Sequence, residues 1–469
     1  MTRLAVIVLV LGGASTGAAQ SSRTHLVPGV SVLTGVHVVP MDRDTVLRDV
    51  DVLVRDGRIA AIGRRLAVPA GARRIVGGGR YLMPGLADMH AHLYADEYVA
   101  DSVAPHELGV FLANGVTAAR LMIGTPVHLD LRKRIGAGTL TGPGLWIASP
   151  QFAGRADPHS RVVTTAAQAR AAVREVAGLG YDFVKLTVLI TPDVYDAVVD
   201  EARQAGIRVI GHVDPRVGVP KALEAGQQIE HFDGYWESML ADLAPIRQSV
   251  SDVGVYYPRN WQSLDWIDDG KLARLVGATA RAGVAVTPTH TFFVETFAEP
   301  VPDSVVKARP DWAHIPPKMR DLYWNGRQRY WANPPSAARR ARYVEVRRKL
   351  LTTMVDSGGT ILAGSDAPGG LLGYGWTLHR ELEHFVRSGL SPYQALRTAT
   401  VNPAGFLKAD ADIGTVTVGR RADLVLVEGN PLADIRNTAR IGGVMVGGRW
   451  LERPELDRLI AEAGRRLNP

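Results

Sequence analysis

The 469-residue chain contains no cysteine. Disulfides, thiolate nucleophiles and thiolate metal ligands are therefore excluded, and any zinc site must use histidine, carboxylate or modified lysine. Lysine is scarce as well: it supplies eight of the 54 basic residues, so the formal charge of +7 rests on scattered arginines. No long basic block interleaves with aromatics, which argues against a nucleic-acid surface and leaves solvated charged faces with a modest pull toward anions. Long apolar runs are missing too. The run inside MTRLAVIVLVLGGASTGAAQ falls well short of the roughly 20 residues of a membrane span, and it has the pattern of a cleaved secretory signal. Residues 1–20 are expected to be removed, giving a periplasmic or secreted protein with no stable membrane insertion.

What is present is ordinary for a globular protein, and the length accommodates a large α/β barrel with a smaller companion. Residues 28–80 carry short alternating runs such as "VSVLTGVHVV" and "DVDVLVRDG", with Asp56-Gly57 as a hairpin turn signal. From 81 the texture becomes apolar strand-like runs alternating with helical stretches, the pattern of parallel βα units. The candidate strands are 81–90, 116–122, 145–149, 183–188, 209–213, 229–232, 284–287 and 361–365. Helical stretches between them are punctuated as expected, for example 191–206 with Thr191 as N-cap, Pro192 in the first turn and Gly206 as stop. Eight such units predict a (β/α)8 barrel over 81–410. From about 411 the texture returns to β, so 21–80 and 411–469 are expected to form one small domain, closed by a C-terminal helix. An insertion at about 289–342, with Trp312, Trp324 and Trp331, is long enough to be a lid or an interaction surface.

The polar groups at the ends of these strands make a short list. His90 and His92 in "LMPGLADMHAHL" alternate with Ala91, so both imidazoles face one side. Lys185 stands inside the apolar run "FVKLTV"; a buried lysine there snorkels, pairs with an acid or loses its charge. His212 in "RVIGHV", His231 in "QIEHFDG" and Asp366 in "ILAGSDAP" complete the set. Each alone reads as a capping or hydrogen-bonding group. Six at matching positions of five strands point to metal, because imidazole and carboxylate are the usual ligands of divalent ions.

In this order, and framed by "GRYLMPGLADMHAHL", "ALEAGQQIEHFDGY", "LAGSDAP" and "TVNPAGFLKADADIGTVTVGRRADLVLVEGNPL", the residues resemble the metal-dependent hydrolases of the amidohydrolase superfamily. Within it, the likeness is to the prolidase-like and imidazolonepropionase-like branch. The resemblance implies a distorted (β/α)8 TIM barrel with a small β-sandwich built from the flanks. It implies two divalent metal ions, zinc above all, bridged by carboxylated Lys185, with His90, His92 and Asp366 on one ion and His212 and His231 on the other. The implied activity is cleavage of amide bonds in peptides or N-acyl amino acids by a metal-bridging hydroxide, with Asp366 as proton shuttle. "KLTVLITPDVY" replaces the serine- and glycine-rich loop associated with Xaa-Pro dipeptidases, which departs from a strict dipeptide specificity.

His290 and Tyr235, close behind strand ends, are candidates to bond the substrate carbonyl or oxyanion. His379 faces the pocket or caps a helix, and His159 remains a substrate candidate. Arginines of the 300–342 stretch could meet a substrate carboxylate. The expected partner is a small-molecule or peptide substrate, and the enzyme is expected to be a homo-oligomer. The same metal site would also serve a lactonase, esterase or phosphoesterase. A mononuclear deaminase would not need Lys185, and a non-catalytic binding protein would need neither both sites nor Asp366.

Overall fold

In residues 30–63 valine and leucine alternate with polar residues, and the chain forms a meander: β1 (Val30–Val38), β2 (Leu47–Arg55) and β3 (Arg58–Gly63), paired antiparallel. The β2–β3 turn is Asp56-Gly57, both at positive φ (48° and 77°), as the right-handed twist of a two-residue hairpin demands. The computed structural model describes residues 23–93, 102–156, 159–187, 189–244 and 261–468, so the signal expected at 1–20 lies outside the described residues. No helix among them is long and apolar enough to cross a membrane.

After β4 (Arg73–Val76), the strand expected at 81–90 divides in two. β5 (Tyr81–Pro84) pairs with β1, whereas β6 (Leu86–Ala91) belongs to a different sheet. Gly85 is the crossing point. A Cβ there would lie 2.0 Å from Thr117 Oγ1, so only glycine lets the two layers touch.

The inner strands are parallel: β6, β7 (Val116–Leu121) and β8 (Gly144–Ile147) form one sheet. β9 (Gln151–Ala153), β10 (Ser160–Val162), β11 (Phe183–Leu186), β12 (Arg208–Gly211), β13 (Gln228–Glu230) and β14 (Val286–Thr287) form another. β6, β7, β8 and β11 are buried along their whole length, as strands covered on both faces must be. Helices cover the outside. The helix Pro192–Ala205 turns Val194, Ala197, Val198 and Ala202 inward and stops at left-handed Gly206.

The two parallel sheets meet through single bridges, Ala148 with Phe183 on one side and residues 361–367 on the other. The eighth expected strand, 361–365, therefore does not form as a strand. Ile361 bridges Val286 and Ala367 bridges Ala91, but between them Ala363 N–H donates to the Thr398 carbonyl and Ser365 N–H to the Asp88 carboxylate. A side chain and a helix end take donors that a ladder would need.

β15 (Leu424–Val427), β16 (Ile441–Val446) and β17 (Arg449–Glu452) join the N-terminal strands in one eight-stranded sheet, with β15 antiparallel to β5. At the far end of the order, β3 is tied to the chain entering β15 by Ile59 N–H to Arg420 O and Gly419 N–H to Ile59 O. The sheet thus bends back around Leu33, Val52, Ile59, Leu424 and Trp450. The helix Arg453–Leu467 ends the fold.

The long insertion is helical, with His290–Phe297, Asp303–Lys307 and Pro317–Ala332, and it runs into the helix Ala337–Asp356. Trp312 and Trp324 meet edge to face at 5.5 Å and pack with Val306, Met319 and Leu371, which binds the insertion to the loop after Asp366.

His379 has a structural place rather than a substrate-facing one. Its Nδ1 lies 2.9 Å from Thr438 Oγ1 and its Nε2 3.0 Å from the Asn114 carbonyl, so both nitrogens are spent joining the helix Trp376–Arg387 to its neighbours. Burial lowers its pKa to about 4. The unfolded ring takes up a proton near pH 6.5, so the folded state loses stability as pH falls from 6.5 toward 4 and keeps it fully above that window. Urea unfolding of metal-free protein should show the wild type losing about 2 kcal/mol more than His379→Gln between pH 7 and pH 5. Equal losses would mean that the folded ring titrates normally.

Candidate metal centre

Each predicted ligand sits at or just past the C-terminal end of a parallel strand. His90 lies in β6 and His92 one residue beyond it; Lys185 lies in β11; His212 and His231 each follow directly after β12 and β13. Asp366 arrives on the bridging segment, where its N–H donates to the His90 carbonyl at 2.7 Å. Gly364 makes that approach possible, since a Cβ there would meet His90 Cβ and Thr287 Cγ2 at 2.6 Å.

These residues converge. The rings follow one another as His92, His90, His231 and His212, with consecutive centroids 5.0, 4.7 and 4.9 Å apart. His90 Nε2, His92 Nε2 and Asp366 Oδ1 form a triangle with sides of 3.2, 3.0 and 3.4 Å. Ligands about 2.05 Å from a tetrahedral zinc ion are separated by about 3.3 Å, so the triangle is one face of such a polyhedron. His90, His231 and Asp366 likewise offer ligand atoms within 4.8 Å of one another. His231 Nδ1 stands 4.0 Å from Asp366 Oδ2.

Three of the imidazoles spend Nδ1 on a protein partner. His90 Nδ1 is 2.6 Å from Glu230 Oε2, His212 Nδ1 is 2.5 Å from Asp233 Oδ2, and His231 Nδ1 is 2.7 Å from Thr289 Oγ1. A partner on Nδ1 fixes the ring and sets the tautomer in which Nε2 carries the lone pair that ligates. Burial, reinforced by Lys185, holds His90 and His212 well below the usual imidazole range; burial and then His90 do the same for His231. All three are held neutral, the form that binds metal. Burial pushes Asp233 well above the carboxylate range, with Lys185 opposing.

Lys185 is 1% exposed, and its Nζ has no hydrogen-bond partner among the described residues. Burial lowers its pKa to about 8, against the pull of Glu230 and Asp366. A bare buried ammonium is costly, whereas an amine extended to a carboxylate between cations would have partners. The orphaned nitrogen thus fits the predicted modification.

Several residues that build this site were not anticipated. Arg120, fully buried in β7, donates Nη2 to Glu230 Oε1 (2.8 Å), Nη1 to Gln228 Oε1 (2.7 Å) and Nε to the Met89 carbonyl (2.6 Å). Asp88, pushed up to about 6 by burial, accepts from the N–H groups of Ser365 and His90. The available signal was the same as for Lys185: a charge inside an apolar run, "VTAARLM" for Arg120 and "GLADMH" for Asp88. Glu230 and Asp233 flank His231 in "IEHFDG".

The expected carbonyl-binding groups lie elsewhere. Tyr235 is fully buried and its hydroxyl meets Thr279 Oγ1 at 2.6 Å, because left-handed turns at His231 and Phe232 (φ 62° and 63°) carry the following chain into the helical layer. His290 places Nε2 3.4 Å from Ser388 Oγ and packs beside His384 and Phe385. His159 is half-buried in the turn between β9 and β10, where its carbonyl accepts from Gln151 N–H. The insertion's arginines are largely committed: Arg309 to Glu295, Arg327 to Asp303, Arg339 to Asp265 and Arg342 to Glu345.

A cluster of neutral imidazoles, a carboxylate and an unpartnered amine at the ends of parallel strands is a set of groups that could hold a divalent ion in an α/β protein. Residues 81–451 match the sequence model of the amidohydrolase family, and the chain belongs to that family. Its members generally use metal ions. Among curated relatives, an uncharacterized protein of Mycobacterium tuberculosis is 30% identical over 208 residues, 40% of this chain and 52% of its own. The chain thus spans about half the length of the first curated relatives it matches. An imidazolonepropionase of Saccharopolyspora erythraea is 33% identical over 140 residues, 26% of this chain and 36% of that protein. The solved structure of bottromycin amidohydrolase superposes with a TM-score of 0.74 at 23% identity, covering 98% of this chain and 95% of that one, and so has the same fold.

Glu230→Gln should expose the logic of the His90 support. The amide cannot accept from both His90 Nδ1–H and Arg120 at once, so zinc affinity measured by chelator competition should fall about 10- to 100-fold. Loss of the buried carboxylate should also cost about 3–5 kcal/mol of stability. Unchanged affinity would remove Glu230 from this role.

Proposed function

We propose that the protein is a binuclear metal-dependent hydrolase that cleaves amide bonds in peptides or N-acyl amino acids. The observation that carries this reading is the convergence of His90, His92, His212, His231 and Asp366 around the orphaned amine of Lys185. We take the two parallel sheets, linked by bridges, as a distorted (β/α)8 barrel, and the folded-over flank sheet as its β-sandwich companion, so that the site lies at the functional end of the barrel.

His90, His92 and Asp366 would hold one divalent ion and His212 and His231 the other, with zinc the metal best matched to this imidazole-rich set. Lys185 Nζ in its neutral form could add to carbon dioxide and lose a proton, and the resulting carboxylate would serve as a further oxygen ligand for the ions. Two cations bound there supply Lewis acidity to the scissile carbonyl and acidify a water between them.

The chain's own groups do the rest. Asp366 Oδ1 lies 3.0 Å from His92 Nε2 and Oδ2 4.0 Å from His231 Nδ1; the carboxylate would take a proton from the attacking water and return it to the leaving amine, whose departure is unfavourable without it. Glu230, Asp233 and Thr289 keep the rings turned inward throughout. The bottromycin amidohydrolase fold match and the family membership support amide chemistry. Export through residues 1–20 and assembly into a homo-oligomer belong to the same reading.

The test is free-amine release by the zinc-loaded protein across dipeptides and N-acyl amino acids. The wild type should release amine, and Asp366→Asn should retain most of its metal but lose at least about 100-fold in turnover. Rapid turnover by the variant would exclude Asp366 as the shuttle. Silence of a wild type carrying two ions per chain would exclude amidase activity and direct attention to esters and phosphoesters.

A further inference from the structure

One buried cation near the centre spends its donors on backbone carbonyls. Arg347, on the helix Ala337–Asp356 that follows the insertion, is 3% exposed and makes no ion pair among the described residues. Its Nη2 donates to the Pro288 carbonyl at 2.6 Å and its Nη1 reaches the His231 carbonyl at 3.4 Å. The guanidinium lies 4.4 Å from the centroid of Phe293, whose ring meets the His231 imidazole edge to face at 5.5 Å.

The backbone explains what this arginine does. His231, Phe232 and Thr289 are all left-handed (φ 62°, 63° and 41°), a conformation that side-chain-bearing residues adopt only when their surroundings enforce it. The turns swing carbonyls out of the β13–β14 ladder, and a buried carbonyl needs a donor. Arg347 supplies donors to two of them. On the other side of the same turn, Glu381 accepts the N–H groups of His290 and Thr291 at 2.7 and 2.6 Å. Thr289, held between these clamps, is the residue whose Oγ1 orients His231 Nδ1.

We propose that Arg347 is a positioning residue for His231, so that the helix Ala337–Asp356 is a working part of the metal centre rather than only a cover over it. The inference rests on the two-ion reading above and deepens it. Arg347 acts on the ion held by His212 and His231. The His90, His92 and Asp366 triangle is held chiefly through Glu230, Arg120 and Asp88, with none of which Arg347 shares a hydrogen bond.

The experiment is zinc titration of chelator-stripped full-length protein against a competing chromophoric chelator. Wild type is compared with Arg347→Met, Arg347→Lys and Arg339→Met, the last removing a guanidinium from the same helix that serves Asp265 and the Trp261 carbonyl instead. Arg347→Met is expected to weaken one of the two zinc equivalents at least tenfold and leave the other unchanged. Arg347→Lys, which can reach one carbonyl, should recover part of that loss, and Arg339→Met should match the wild type. Equal weakening of both ions, or of neither, overturns the proposal. If Arg347→Met does not fold, the lysine variant decides by the same selective criterion. A wild type that binds one ion would end the two-ion reading on its own; the inference would then stand if Arg347→Met alone weakened that ion, and fall if it did not.

Discussion

A buried polar atom must have a partner, and at this centre that rule governs everything else. Four imidazoles, a carboxylate and an amine meet in an apolar interior. The rings of His90, His212 and His231 can point a lone pair inward only because Glu230, Asp233 and Thr289 hold their other nitrogen. Glu230 in turn depends on Arg120, which also bonds the Met89 carbonyl, Gln228 and Thr287. One network therefore ties β6, β7, β13 and β14 at the level of the site. Low dielectric strengthens such a network when every member is satisfied and penalises any member left out. Lys185 Nζ stands at the centre without a partner, and a carboxylate added to it would be satisfied by bound cations.

The same rule shapes the backbone. Where ligands leave the strand ends, His231, Phe232, Thr289 and Asp366 turn left-handed, and carbonyls and N–H groups freed from the ladder need donors and acceptors from elsewhere. Arg347 and Glu381 provide them from helices outside the sheets. The eighth position of the ring gives up regular pairing for a related reason. Asp88 takes the Ser365 N–H, which sets the bend that delivers Asp366 to the histidines.

The six ligand candidates were legible in the sequence because a charged or titratable residue ending an apolar strand is conspicuous by its cost. Arg120 and Asp88 carried the same signal, but their partners are long-range, and no spacing along the chain announces that Arg120 meets Glu230 across 110 positions. The hairpin at Asp56-Gly57 and the stop at Gly206 followed from local chemistry alone. For Tyr235, His290 and His379 the sequence leaves a substrate role and a structural one both open, for one shared reason. Closeness to a strand end in sequence does not set side-chain direction once the backbone turns: the Tyr235 hydroxyl meets Thr279, His290 Nε2 lies by Ser388, and both nitrogens of His379 are taken by Thr438 and the Asn114 carbonyl. The split of 81–90 into β5 and β6 depended on contact between Gly85 and Thr117, which only the folded chain reveals.

Anomalous diffraction at the zinc edge from crystals of the zinc-loaded protein tests the central claim most directly. The account predicts two peaks about 3.5–4 Å apart, one at the triangle of His90, His92 and Asp366 and one beside His212 and His231, with the Lys185 nitrogen extended by a carboxylate between them. A single peak beside an unmodified Lys185 would contradict it.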